Sequence, residues 1–106
     1  MADDQDFVEL GGQIKLCGFS EVDGGSMVVL KKIIGNYARK ISDNSKDFQG
    51  LQVTLKKLHE SGGHPKFEVH AKAVTDGHAH SVEFIDRNLF VAVDGALRKV
   101  LHMFHK

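Results

Sequence analysis

The chain has 106 residues, of which 42% are hydrophobic and 26% charged, with 14 basic and 14 acidic side chains. This length suits one domain with one hydrophobic core, and this composition excludes a disordered chain. A formal net charge of zero argues against a generic nucleic-acid-binding protein.

The single cysteine, Cys17, excludes an intrachain disulfide and a cysteine-based zinc site. No apolar run approaches the roughly 18 residues of a membrane span, and the acidic first residues are unlike a secretory signal. These features predict a cytoplasmic protein without a membrane partner.

Charge is distributed unevenly along the chain. Residues 1–25 contain six acids and one lysine, a balance of −5, whereas residues 26–106 contain 13 basic and eight acidic side chains, a balance of +5. We therefore predict a loosely ordered acidic tail over residues 1–12 and a single, mildly cationic domain over residues 13–106. Chance clustering on a solvated surface is the alternative explanation of this asymmetry.

The first half of the domain contains one strand and one helix. Apolar and polar residues alternate over residues 13–18, which predicts a half-buried strand. From 27 to about 42 the apolar residues follow helical spacing, and either Asp23 or Ser26 is suited to cap this helix. Residues 42–50 are polar and contain glycine, so we predict a loop there.

Three consecutive strands are predicted next, at 51–56, at 67–74 and after Asp76-Gly77. Asp-Gly is a strong signal for a type I′ hairpin turn, because both central residues of that turn need positive φ. With Asp76-Gly77 at the turn, residues whose numbers sum to 153 face each other, so that Val69 pairs with Phe84. Both apolar sets then lie on the same face, which makes this register self-consistent.

Helical spacing returns from about 87 to 105, where either Asp86 or Asn88 is suited to cap the helix. The resulting order is strand, helix, three strands, helix. This order predicts an α+β two-layer sandwich, in which a four-stranded sheet has both helices on one face.

The other sheet face is predicted to be open and polar. It would display Lys15, Cys17, Gln52, Thr54, Lys56, Glu68, His70 and Lys72. Such a face is either solvated or a docking surface. One alternative function is therefore a protein–protein interaction module, or a homodimer, that uses this face or an exposed edge strand.

The sequence has seven histidines but no motif of an enzyme or a metal site. His78 and His80 share one face of their strand, whereas the predicted register places His70 on the opposite face. There is no HExxH motif, and we expect no cluster of histidine and carboxylate with three convergent ligands. Cys17 has no evident base beside it, and no GxSxG or phosphate-binding loop is present. We predict a protein that is not an enzyme and has no cofactor, no metal and no small-molecule substrate. A histidine-based metal binder is the second alternative.

The remaining candidates for function are basic side chains on the predicted helices and strands. If some of them converge on one side, they can engage a phosphate backbone without reading bases. The candidate RNA-binding residues are Lys31, Lys32, Arg39, Lys40, Lys56, Lys72, Arg87, Arg98 and Lys99.

Two segments of the sequence resemble a known family. Phe67-Glu-Val-His-Ala-Lys-Ala and Asp86-Arg-Asn-Leu-Phe-Val-Ala-Val-Asp-Gly-Ala-Leu-Arg-Lys-Val are similar to the ribosome hibernation-promoting factors, also called ribosome-associated inhibitor or sigma-54 modulation proteins. The family's helix is of the type aromatic-Ala-Ala-aliphatic-Asp with a Lys-Leu further on, and Phe90, Ala92, Val93, Asp94 and Lys99 fill the corresponding places. The family also has the strand and helix order predicted above, so the resemblance covers about residues 13–104.

This resemblance implies a non-enzymatic factor that binds the small ribosomal subunit and its ribosomal RNA. Members of the family lie across the messenger- and transfer-RNA sites near the decoding centre and silence translation under stress. The nine basic residues above would make the RNA contacts, and Asp94 would orient local structure. The chain departs from the family in its neutral net charge and its glycine-rich turn before the first helix. Without a second, dimerising domain, it resembles the short form.

Overall fold

A computed structural model describes residues 7–10, 13–59 and 63–104. In chain order the elements are β1 (Phe7–Leu10), β2 (Ile14–Cys17), α1 (Gly24–Asn44), β3 (Phe48–Leu58), β4 (Lys66–Thr75), β5 (His78–Asp86) and α2 (Leu89–His102). The strands form one sheet in the order β1-β2-β3-β4-β5. β2 and β3 are parallel, and the other neighbouring strands are antiparallel. The predicted α+β class and its order of strand, helix, three strands and helix are confirmed.

The sheet contains one strand more than predicted, because Phe7–Leu10 pairs antiparallel with β2. Four residues of the predicted tail over 1–12 are therefore part of the sheet, and the rest of that tail lies outside the described residues. In the observed register Leu10 lies opposite Ile14, which leaves a connection of three residues. The Gly11-Gly12 pair in this connection is a hairpin signal. Four residues are too few for periodicity to reveal the strand.

The hydrophobic core lies between one sheet face and the two helices. It includes Leu30, Ile34, Ala38 and Ile41 of α1, which carries much of the predicted apolar stripe, and Val93, Ala96, Leu97, Val100 and Leu101 of α2. The sheet contributes Leu16, Leu51, Val53, Leu55, Val69, Ala71 and Ala73. Because strand side chains alternate between the two faces, the residues between these positions point away from the helices. The polar open face is therefore confirmed.

The caps decide where the two helices begin. The Asp23 carboxylate accepts a hydrogen bond from the backbone N–H of Ser26 at 3.0 Å, and this bond lowers the pKa of Asp23. In α2 it is Asn88 that caps, accepting from Val91 N–H at 3.1 Å. Asp86 accepts instead from the N–H of Asn88 at 2.8 Å. Of the two caps predicted for α1, Asp23 is the correct one, and of the two predicted for α2, Asn88 is the correct one.

The segment over 42–50 is mostly regular structure, which corrects the predicted loop. α1 continues to Asn44 and β3 begins at Phe48. The Nδ2 of Asn44 donates to the backbone oxygen of Lys40 at 2.7 Å, which stabilises the last turn of the helix. A register irregularity between Phe48 and Gly50 lets β3 begin early despite its glycine.

The predicted hairpin is confirmed in both turn and register. Asp76 has φ of 50° and Gly77 has φ of 78°, as a type I′ turn requires. Val69 lies opposite Phe84 and Ala71 opposite Val82. The Gln49 side-chain oxygen also accepts from the N–H of Gly77 at 2.7 Å, which ties the turn to β3.

Gly95 of α2 lies directly over the ring of Phe84 on β5, and a Cβ at this position would overlap that ring. Overpacking of this kind costs about 1–3 kcal/mol, whereas alanine is better than glycine in a helix by about 1 kcal/mol. We expect Gly95→Ala to lower the free energy of unfolding by up to about 2 kcal/mol, measured by urea denaturation. In a Phe84→Leu background the same substitution should cost less; an equal cost in both backgrounds would contradict the role of the ring.

Candidate nucleic-acid interface

The outer surface of α1 carries a group of exposed cations. Lys31, Lys32 and Arg39 are exposed and form no ion pair with any described carboxylate. Lys32 and Arg39 are seven residues apart and therefore lie on the same side of the helix. Asp43 is the one acidic residue within Gly24–Asn44. This surface can therefore present a positive potential to a polyanion.

Lys40 belongs to a polar group that joins the two helices. Its Nζ lies 5.6 Å from the centroid of the Tyr37 ring. The Tyr37 hydroxyl donates to Asp94 Oδ1 at 2.7 Å, and Arg98 Nη2 donates to Asp94 Oδ2 at 2.7 Å. Asp94 thus orients Tyr37 and Arg98, which agrees with the expected local structural role of this residue. Because Asp94 neutralises much of the Arg98 charge, Arg98 contributes less to the positive surface than Lys40 does.

Partial burial and the hydrogen bond to Asp94 raise the pKa of Tyr37 above its ordinary value of 10.0. A phenol whose pKa is raised by folding contributes stability that is present below its unfolded pKa and is lost as pH rises through its folded pKa. Tyr37 is the only tyrosine, so ultraviolet absorbance titration reports this group alone. We expect Asp94→Asn to lower the pKa of Tyr37, because the carboxylate charge disfavours the phenolate. An unchanged titration would contradict the contribution of Asp94.

Two of the candidate residues lie near the outer edge of the sheet. Lys99 of α2 donates from Nζ to the backbone oxygen of Glu83 at 2.8 Å. Its ammonium is therefore bonded to the backbone of the edge strand β5. An edge strand protected by a lysine is less available for pairing with another chain. Arg87 is exposed in the connection between β5 and α2.

Lys56 and Lys72 lie on the open sheet face, away from both helices. In the sheet register Lys15, Gln52 and Lys72 form one row across β2, β3 and β4, above a shallow depression of about 390 Å³. Lys56 lies opposite Glu68 in the strand register, so an acidic residue is its neighbour on this face. The fold thus divides the nine candidate residues between two faces, and only those on the helix layer and its margin can contact the same stretch of a phosphate backbone.

The charge balance favours the helix layer as the nucleic-acid interface. Within the two helices six basic residues accompany the two acids Asp43 and Asp94. On the described open face four lysines, Lys15, Lys56, Lys66 and Lys72, share their surface with two glutamates. Because carboxylates repel RNA phosphates, the open face, which carries both signs of charge, is a weaker binding surface for a polyanion than the helix layer.

A group of three potential metal ligands on the open face corrects the expectation that no such cluster forms. His70 Nε2 lies 2.7 Å from Glu68 Oε2 and 3.9 Å from Glu83 Oε2. One ligand atom from each of these three residues lies within 4.8 Å of the others. As predicted, His70 faces away from His80, whose ring packs against Phe104 with centroids 4.9 Å apart on the helix side.

The fold defines the chain as a two-layer α+β domain with a polar open sheet. No family model and no curated protein matches the sequence. Among solved structures, the N-terminal domain of Protein Y from Thermus thermophilus is similar to this chain, with a TM-score of 0.54 and 17% sequence identity. The similarity covers 79% of this chain and 83% of that domain. At this identity it shows a shared fold.

Within the described residues, neither helix is long and apolar enough to cross a membrane.

Proposed function

We propose that this chain is a non-enzymatic, ribosome-associated factor of the hibernation type, which binds the small ribosomal subunit through its RNA and inhibits translation. The N-terminal domain of Thermus thermophilus Protein Y shares the fold, which is compatible with this proposal. The sequence resemblance over the hairpin and the second helix points to the same class independently of the fold comparison. The proposal places the protein in the cytoplasm, where its partner is.

The observation that carries the proposal is the cationic surface of α1. Lys31, Lys32 and Arg39 are exposed and form no ion pair with a carboxylate in the described part of the chain, which supports their availability to phosphates. Lysine and arginine contacts with phosphates fix position without reading base sequence, which suits binding to a folded RNA surface. Lys40, which contacts Tyr37, extends the same charge toward α2. Arg87, exposed just before α2, is a further candidate. Lys56 and Lys72 face away and have no part in this contact.

Inhibition would follow from occupancy and requires no chemistry. A rigid domain whose Cα radius of gyration is 13.7 Å is large enough to block the path of messenger and transfer RNA when held between them. Side chains that contact only phosphates need no rearrangement of the ribosome. The chain would therefore act as a reversible obstruction.

Sedimentation of the protein with purified small subunits is the direct test, with translation in a reconstituted system as the second measurement. If the four cations of α1 each neutralise a phosphate, raising the salt from about 50 to 200 mM should weaken binding by roughly 50- to 150-fold. Co-sedimentation together with loss of translation would support the proposal. If the protein binds neither ribosomes nor RNA and its mass in solution rises with concentration, the result would instead indicate an interaction or dimerisation module that uses the open sheet.

A further inference from the structure

The open face of the sheet brings together an imidazole and two carboxylates. Glu68 and His70 are two residues apart on β4 and therefore share a face, and Glu83 lies directly opposite His70 on β5. Their side chains are 20%, 39% and 59% exposed, respectively, which leaves the group accessible from solvent. Since all three residues stand within regular strands, the backbone fixes their positions.

The polar contacts within this group are incomplete. A neutral imidazole has one N–H, and the 2.7 Å contact between His70 Nε2 and Glu68 uses it. Glu83 Oε2, at 3.9 Å from the same nitrogen, is beyond hydrogen-bond distance. Two carboxylates held this close also repel each other, and Lys56, opposite Glu68, is the nearest cation in the strand register. A divalent cation would contact all three ligand atoms and balance both negative charges.

We propose that Glu68, His70 and Glu83 form a binding site for a divalent transition metal of the Zn²⁺ class. Zinc takes imidazole nitrogen and carboxylate oxygen at about 2.0–2.2 Å in tetrahedral geometry, so ligand atoms need only approach within about 3.5 Å of one another. Small rotations of the two glutamates meet this requirement from the observed separations. The fourth position faces solvent and would hold water, because three protein ligands leave one site open.

Binding requires a change of tautomer at His70. The Nε2 lone pair must face the metal, so the ring proton must lie on Nδ1 and the hydrogen bond from Nε2 to Glu68 must be replaced by a metal bond. Lys56 opposite Glu68, and Lys66 and Lys72 on the same face of β4, are positive groups that lie near this site and repel a cation. We expect moderate affinity for this reason.

The test is isothermal titration of Zn²⁺ into the full chain without a histidine tag, with the Co²⁺ absorption spectrum as a readout of ligand geometry. We expect a site with one ion per chain, whose affinity falls at least about tenfold in His70→Gln and in Glu83→Gln. His78→Gln is the matched control, because His78 is exposed on the same hairpin but lies outside the group.

Saturable binding that survives in His78→Gln and is lost in both site variants would support the site. Absence of a saturable site in the wild-type chain, or equal loss in the control, would overturn it. Far-ultraviolet circular dichroism of each variant shows that the fold is retained. This inference is independent of the proposed ribosome contact, since the two surfaces lie on opposite faces of the domain.

Discussion

Reversal of charge at Lys31, Lys32, Arg39 and Lys40 to glutamate is expected to weaken binding to small ribosomal subunits by roughly a thousandfold or more at about 0.1 M salt. Each phosphate contact contributes nearly one decade of affinity at that ionic strength through release of counterions, and four contacts are lost. Repulsion between the new carboxylates and the RNA adds to this loss. The measurement is co-sedimentation over a range of subunit concentrations.

The matched control is charge reversal at Lys56 and Lys72. These two lysines were candidates on the same sequence criteria, but the structure places them on the open face, away from α1. If the helix layer is the interface, this variant should bind within a few-fold of the wild-type chain. Equal loss in both variants would show that net charge alone drives the interaction, and it would remove α1 as a specific surface.

The stability of the two variants separates binding from folding. All four substituted side chains on α1 are exposed, and none of them forms an ion pair with a described residue; Lys40 contacts the Tyr37 ring. Exposed charges of this kind contribute little to folding, so thermal unfolding should remain close to that of the wild type. Unchanged ribosome binding in the α1 variant would contradict the proposed mechanism directly.

Sequence patterns were sufficient to predict the architecture, because most elements follow one clear rule. Asp76-Gly77 fixed the hairpin and thereby the register of β4 against β5, and the alternation of apolar residues fixed which face packs on the helices. The same register also contains the Glu68, His70 and Glu83 group: positions 70 and 83 sum to 153, and residue 68 shares their face. The spacing of histidines along the chain does not include carboxylates on the neighbouring strand, so spacing alone could not predict this cluster.

The division of the basic residues between two faces was only partly predictable. The strand alternation that placed Lys56 and Lys72 on the open face also implied that they could not join Lys31 and Lys32 on the helix layer. The neutralisation of Arg98 by Asp94, and the bond from Lys99 to Glu83, depend on how α2 packs against α1 and β5. Long side chains at helix surfaces have too many rotamers for spacing alone to assign their partners.

Gly18→Ala is expected to produce the largest loss of stability of any single substitution considered for this chain, about 3–5 kcal/mol. Gly18 follows β2 with φ of 82°, a conformation that costs an L-residue about 1–2 kcal/mol. A Cβ at this position would also overlap the backbone oxygen of Leu55 on β3, and backbone cannot rotate away as a side chain can. Because the free energy of unfolding of small domains is about 5–15 kcal/mol, this loss is a large share of the total.

Gly24→Ala is the control for this substitution. Gly24 begins α1 with an ordinary φ, and no atom lies within 4 Å of a Cβ built there, so alanine should be neutral or stabilising. Urea denaturation of both variants measures the difference. Equal midpoints for Gly18→Ala and the wild type would show that the connection from β2 to α1 adjusts freely.

That connection sets the position of α1 relative to the sheet, and therefore the position of its cations. Loss of ribosome binding in Gly18→Ala should consequently follow the unfolded fraction, whereas the charge-reversal variant should lose binding while fully folded.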